Sequence, residues 1–286
     1  MPALDWLHFI VLLRAVQGIF LTAALAAKRT NRTANRLLAA TMLTFSLGLA
    51  NSVYLSAGLE QRYPHFFGVA YPLPFLYGPL LYLYALAASD RTWRLQRLGV
   101  LHFAPTLAVL AWGFPIYLLS GPDKLALYDQ MRAGNLPLVV RVADPLKFVS
   151  GIGYTIATIM FLRRHSERVK ESYSSVERVN LRWLLWLGVS GAAIWALATV
   201  LNVLDSSGVV SIPSTDDYVS LAVARLVYGI GYKGMRQPEV FRFETAEFPV
   251  PAAARPAPAP VVVTVTTTDD AEARYERSGL AENEAK

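Results

Sequence analysis

Residues 71–88 read Tyr-Pro-Leu-Pro-Phe-Leu-Tyr-Gly-Pro-Leu-Leu-Tyr-Leu-Tyr-Ala-Leu-Ala-Ala, with three prolines, four tyrosines and no charged residue. The run is close to the roughly 20 residues that a helix needs to cross a bilayer. Three prolines are costly inside a soluble helix, because each removes an N–H and crowds the preceding turn. A membrane helix tolerates them where neighbouring helices satisfy the freed carbonyls. The stretch is therefore expected to be a kinked transmembrane helix inside a helical bundle. Pro72, Pro74 and Pro79 are its candidate hinge positions, since kinks supply alternative packings.

The rest of the chain fits that setting. Hydrophobic residues make up 54% and charged residues 17%, against about 25% charged in ordinary soluble domains. Seven apolar segments are expected, at Trp6–Ala27, Asn35–Ala57, Phe66–Ala88, Leu98–Leu119, Val139–Leu162, Leu181–Leu204 and Tyr218–Tyr232. Cations cluster in alternate connections: Lys28, Arg29, Arg32 and Arg36; then Arg91, Arg94 and Arg97; then six between Arg163 and Arg182; then Lys233, Arg236 and Arg242. The intervening connections hold Arg62, then Lys124 and Arg132, then no cation over Asp205–Asp217. Basic loops stay cytoplasmic. The expected fold is an all-α polytopic bundle of seven transmembrane helices, with the N-terminus outside and the C-terminus in the cytoplasm.

The N-terminus does not read as a signal peptide. Asp5 occupies the position of a basic region and Arg14 interrupts the apolar stretch, so Trp6–Ala27 is read as a retained first helix. The mixed-charge connection Arg163–Arg182 is expected to continue its flanking helices beyond the membrane. The sensor bundle is placed at residues 1–242. Residues 243–270, rich in Pro, Ala, Val and Thr, read as a disordered linker. Residues 271–286 read as the start of a truncated cytoplasmic output segment.

Ionisable residues within a bilayer are expensive and call for partners or a function. Arg14, Arg141, Lys147 and Arg225 lie within the apolar segments, opposed there by Asp144. Counted from the outer ends, Arg14 and Arg225 sit roughly 10–12 Å deep at ~1.5 Å per residue. Arg141 and Lys147 share the outer third of the fifth segment. Arg141, Asp144 and Lys147 recur every third residue and share a helix face. One reading is an outward-open pocket for a small, anionic or polar ligand. Gln17, Asn51 and Asn202 would add hydrogen bonds there, and Tyr71 and Tyr77 would add aromatic walls. The other reading is an interhelical polar network with Arg141 and Lys147 snorkelling to the surface.

Catalytic signals are weak. The four histidines, His8, His65, His102 and His165, show no metal-ligand spacing, and no cysteine is present. No paired acids suit acid–base work and no glycine-rich phosphate loop occurs. No enzyme activity, metal or cofactor is expected. Gly151, Gly153, Gly229 and Gly231 read as sites of close helix packing. His102 reads as a packing histidine at an interface.

Several runs, taken in order, carry a resemblance. They are Asn35-Arg-Leu-Leu-Ala39, Pro74-Phe-Leu-Tyr-Gly-Pro-Leu-Leu-Tyr-Leu-Tyr84, Leu101-His-Phe-Ala-Pro105, Leu181-Arg-Trp-Leu184 and Gly231-Tyr-Lys-Gly-Met-Arg-Gln-Pro-Glu-Val-Phe241. The last is Arg274-Tyr-Glu-Arg-Ser-Gly-Leu-Ala-Glu-Asn-Glu284. Together they resemble the membrane sensor half of AraC-type transcriptional regulators, in which about seven helices precede a cytoplasmic helix-turn-helix domain. The resemblance implies a bacterial inner-membrane sensory module. On this reading a small ligand shifts the packing of the third, fifth and seventh helices, and the linker carries that shift, or a change in dimerisation of a homodimer, to a cytoplasmic output. It also implies that DNA is reached through a helix-turn-helix domain missing from these residues. The acidic tail after Phe243 lacks the cations that phosphate contacts need, so no direct nucleic-acid binding is expected of this chain. An integral membrane enzyme or a small-molecule transporter is the alternative; a transporter would show broken helices at corresponding positions in two halves. A purely structural membrane subunit, without an outer cavity, is a third.

Overall fold

The structure, a computed structural model, describes residues 6–29, 31–90, 92–169, 175–207 and 215–236. Side chains at 7, 168–169, 175–182, 205–206, 215–216 and 231–236 lie outside that description. The chain divides into Met1–Phe243 and Glu244–Lys286, and the second unit, with the expected linker and output segment, lies outside the described residues.

All regular structure among the described residues is helical: α1 (Trp6–Ala26), α2 (Arg32–Ser56), α3 (Pro74–Ser89), α4 (Ala104–Tyr117), α5 (Gly121–Arg132), α6 (Leu138–Val169), α7 (Ser175–Ser206) and α8 (Thr215–Arg236). Short 3₁₀ turns cover Leu59–Gln61, Pro64–Phe66 and Arg97–Phe103. Among the described residues five stretches are long and apolar enough to cross a membrane: His8–Ala26, Arg32–Ser56, Arg97–Tyr117, Leu138–Glu167 and Trp183–Leu204. Of the seven expected spans, the third and the seventh are not among them. Large apolar side chains also stand on the outer faces of these five. On α1, Trp6, Phe9, Leu13, Val16 and Phe20 point outward while Val11, Ala15 and Leu25 are buried. Helices that are apolar all round belong in a membrane or a large core.

Among the described residues, side-chain contacts set the relative directions of α1, α2, α3, α6, α7 and α8. Thr22 reaches the Ala39 carbonyl, and Gly18 abuts Ser46, so α1 and α2 are antiparallel. Gly18 meets both Ser46 and Val227, and Ser220 bonds to Ser52 at 2.8 Å, so α2 and α8 are antiparallel and α1 and α8 run parallel. Tyr71 bonds to Asp144 and Gly78 abuts Tyr154, so α3 and α6 also run parallel. Gly151 packs on Trp195 and Gly188 on Ile159, which makes α6 and α7 antiparallel. α8 packs against α1, α2 and α7, and α3 joins α2 to α6. The main core is Leu38, Met42, Phe45 and Leu49 of α2, Leu83 and Tyr84 of α3, Leu184 and Leu187 of α7, and Val227 and Ile230 of α8. A small satellite of Phe75, Val109 and Ala143 holds α4 to the outside of α3 and α6.

Several buried hydroxyls are satisfied within their own helices, whereas the buried Thr106 hydroxyl has no partner among the described residues. Thr41, Ser46 and Thr158 donate to the carbonyls four residues back, at 2.8, 2.8 and 2.7 Å. This is how polar side chains are tolerated away from water.

Two elements differ from the sequence expectation. The third apolar segment is not helical from Phe66. Residues 64–73 form turns, and α3 begins at Pro74. Pro72 lies in a turn, Pro74 occupies the first helical position where its missing N–H costs nothing, and Pro79 alone sits in the helix interior. At 16 residues α3 spans about 24 Å, short of the ~30 Å hydrocarbon core. The second difference is α5, a short helix in the connection after α4. Ser120 caps it, accepting from the Asp123 N–H at 3.4 Å and donating to Asp123 Oδ2 at 2.6 Å. Asp123 also favours the positive end of the helix dipole. Lys124 of α5 is buried and donates to the His65 carbonyl at 3.1 Å, which ties α5 to the turns before α3. The expected continuation of the fifth and sixth segments agrees with α6 reaching Val169 and α7 starting at Ser175.

Candidate functional site

The expected site residues fall into two groups on different helix pairs. The first is built on α1 and α8. Arg14 Nη1 donates to Gln17 Oε1 at 2.8 Å, one turn along α1. The Arg14 guanidinium lies 4.4 Å from the centre of the Tyr228 ring, a cation–π distance. Arg14 and Arg225 line one cavity of about 680 Å³, with Ile10 of α1, Leu197 and Leu201 of α7, and Tyr218, Leu221 and Tyr228 of α8.

The amphipathic pattern of α8 explains this placement. Val223, Ala224, Leu226, Val227 and Ile230 are buried in the core. Tyr218, Leu221, Arg225 and Tyr228 recur at intervals of three and four and are all exposed. That stripe faces outward between α1 and α7 and forms the floor of a groove. Ile10 and Arg14 make one wall, and Leu197 and Leu201 the other. Among the described residues no carboxylate pairs with Arg14 or Arg225.

The second group lies on α3 and α6. Asp144 Oδ1 accepts from the Tyr71 hydroxyl at 3.0 Å and from Lys147 Nζ at 2.9 Å. Lys147 and Asp144 are three residues apart on α6 and form an ion pair, as their spacing predicts. Arg141 is exposed on the same helix and takes no part in that pair. Tyr77 packs in the core against Phe45, at 4.8 Å between ring centres, and its hydroxyl fills the space over Gly48. Asn51 is half-buried on α2 and Asn202 is exposed on α7; neither lines the groove. Thus Arg14, Gln17 and Arg225 come together, Tyr71, Asp144 and Lys147 come together elsewhere, and Tyr77, Arg141, Asn51 and Asn202 join neither cluster. The residues missed from sequence are the groove's own surfaces, above all Tyr228 and Tyr218. Their signal was the exposed three-four stripe on α8.

At the other end of α6 a shallower cleft of about 380 Å³ is lined by Tyr82, Met160, Phe161, Arg164 and His165. The Phe161 and His165 rings stack there at 5.8 Å. His102 Nδ1 lies 2.8 Å from the Tyr154 hydroxyl, with Tyr82 edge-on to the imidazole at 5.7 Å, so it joins α3, α4 and α6 by packing. In the connection after α3, Asp90 accepts from the Thr92 hydroxyl and N–H at 2.7 and 2.8 Å, which holds its carboxyl below the usual range. Of the glycines read as packing sites, Gly151 abuts Trp195 and Gly229 abuts Trp186, while Gly153 faces open space. The side-chain surroundings of Gly231 lie outside the described residues. No three His, Asp or Glu side chains among the described residues are grouped to hold a metal.

Comparison with known proteins finds no matching family profile, no matching curated protein and no matching solved structure.

Proposed function

We propose that this chain is a membrane-embedded sensory module of the AraC-type regulator kind, set in a bacterial inner membrane. It crosses the bilayer seven times, with the N-terminus outside and the C-terminus in the cytoplasm. A small anionic ligand binds in the outer half, and the response passes through the bundle to a cytoplasmic DNA-binding output carried outside this chain. Three features support the topology. α1 and α8 run parallel, as the first and last of an odd number of crossings must. Basic connections alternate with connections poor in cations. The extra helix α5 falls in a connection of the second kind.

The observation that carries the ligand reading is the meeting of Arg14 and Arg225, 211 positions apart in sequence, in one groove. Cations held together within an apolar slab mark functional sites by default. The volume also falls within the usual range of small-molecule sites, roughly 300–1,000 Å³. A ligand bridging α1, α7 and α8 bears on the packing of α8, the helix that leads to the linker.

The test uses the full chain in lipid nanodiscs with spin labels at Lys28→Cys and Arg164→Cys, both expected near the inner face. Acetate, benzoate and dodecanoate serve as carboxylate probes. At least one should bind and shift the inter-label distance by about 1–2 Å, the scale of helix movement in switching bundles. The shift should disappear in the Arg14→Gln, Arg225→Gln double variant. Binding by none of them, or saturation with unchanged distances, contradicts the proposal.

A further inference from the structure

We infer that the Arg14–Arg225 groove takes an amphiphilic anion, a carboxylate or phosphate head carried on a hydrocarbon tail, and that the ligand reaches it sideways from the bilayer. The inference rests on the sensory reading of the same groove and names its ligand class.

The groove is open along its length on the outward side of α8. Tyr218 is 54% exposed, Tyr228 43% and Leu221 40%. These residues belong to a face that, in a membrane, meets hydrocarbon. Apart from the two guanidiniums and the tyrosine hydroxyls, the walls are aliphatic: Ile10, Leu197, Leu201, Leu221, Ala222 and Ala224. A compact, hydrated anion would forfeit its water and gain nothing from those walls. An acyl chain gains burial along all of them.

The charges point the same way. Arg225 stands on the outward face of its helix, where an unpaired guanidinium in hydrocarbon is costly. Arg14 is partly satisfied by Gln17 and the Tyr228 ring, both uncharged. No described carboxylate neutralises either cation, which leaves both guanidiniums open to a bound anion. A guanidinium fork matches the geometry of a carboxylate or phosphate. In this depth band, an anion anchored by its own tail is the one that arrives by lateral diffusion. The head would lie between Arg14 and Arg225, and the tail would lie along Leu221 and Tyr218 between Ile10 and Leu197.

The test measures binding to the full chain in phosphatidylcholine nanodiscs, with three probes: dodecanoate, dodecanol and butyrate. Dodecanoate should bind at least about ten-fold more tightly than dodecanol, which lacks the charge. Butyrate, which lacks the tail, should be weaker again. Arg225→Gln should cost dodecanoate about ten-fold or more and leave dodecanol unchanged. Arg225→Lys should recover part of the loss. Leu221→Trp, which fills the groove without touching the charges, should block dodecanoate as well, and covers the case in which an arginine variant folds poorly. Repeating the titration with phosphatidylglycerol in the disc separates the two sources of such an anion. Competition identifies a membrane lipid as the occupant, and its absence a free amphiphile; both carry the same head-and-tail chemistry.

Equal affinity for dodecanoate and dodecanol, or tighter binding of butyrate than dodecanoate, overturns the inference. So does a groove that binds no probe and whose Leu221→Trp variant changes the oligomeric state, since its occupant is then a second copy of the chain. Failure here is distinguishable from failure of the sensory reading. A label shift driven by acetate alone keeps the sensor and removes the amphiphile. Dodecanoate bound through both arginines with no label shift keeps the site and removes the sensor.

Discussion

Asp144 accepts two donors at once, the Tyr71 hydroxyl from α3 and the Lys147 ammonium from its own helix. Removing the carboxylate leaves both without their partner. Asp144→Ala should therefore destabilise the bundle by about 1–3 kcal/mol, the cost of stranding partly buried donors. A double-mutant cycle with Tyr71→Phe should show a coupling of about 0.5–1.5 kcal/mol, read from unfolding in detergent. Additive losses would mean that the contact contributes nothing. The Asp144–Lys147 pair was legible in the sequence because helical spacing alone places residues three apart on one face. The Tyr71 contact was not, because its partners are 73 residues apart and no local pattern encodes it. The same limit governs the four cations expected at one depth. Residue counting along a helix gives depth. It gives no information on which helix stands beside which. Arg14 and Arg225 share a groove because α1 packs on α8, while Lys147 faces α3 through Asp144.

At the scale of elements, the Gly78–Pro79 step brings α3 close against α6. A Cβ on Gly78 would come within 2.7 Å of the Tyr154 Cβ, and Pro79 beside it is fully buried. Gly78→Ala should push the two helices apart at a cost of about 1–3 kcal/mol, as overpacking does. Because Tyr154 also bonds to His102, the variant should loosen the start of α4 as well, seen as faster hydrogen exchange there. Unchanged exchange and stability would show that Tyr154 can move aside freely. The sequence marked this run as the centre of the bundle for a sound reason: proline and tyrosine without charge are hard to place anywhere else. It misled on where the helix begins. Apolarity continues back to Phe66, but Pro72 and Pro74 stop the backbone from helical bonding, so the segment's outer part turns instead. It missed α5 for the opposite reason. That helix is polar, and its signature is the Ser120-Gly-Pro-Asp123 cap and not an apolar run.

At the scale of the molecule, the alternating directions of α1, α2, α3, α6, α7 and α8 follow from contacts between side chains, independently of loop charge. Loop charge independently assigns alternate connections to opposite sides. On the proposed topology, that agreement is what would set the Arg14–Arg225 groove in the outer half of the membrane. If they did not, the groove would face the wrong compartment for a sensor of outside signals. The chain has no cysteine, so single-cysteine variants at Lys28, Thr92 and Asp129 report position without further changes. The deciding measurement is labelling of these three in intact cells with a membrane-impermeant maleimide. Asp129→Cys, on α5, should label from outside. Lys28→Cys and Thr92→Cys should label only after the membrane is permeabilised. Labelling of Thr92→Cys in intact cells, or all three positions reacting from one side, would contradict the seven-crossing bundle.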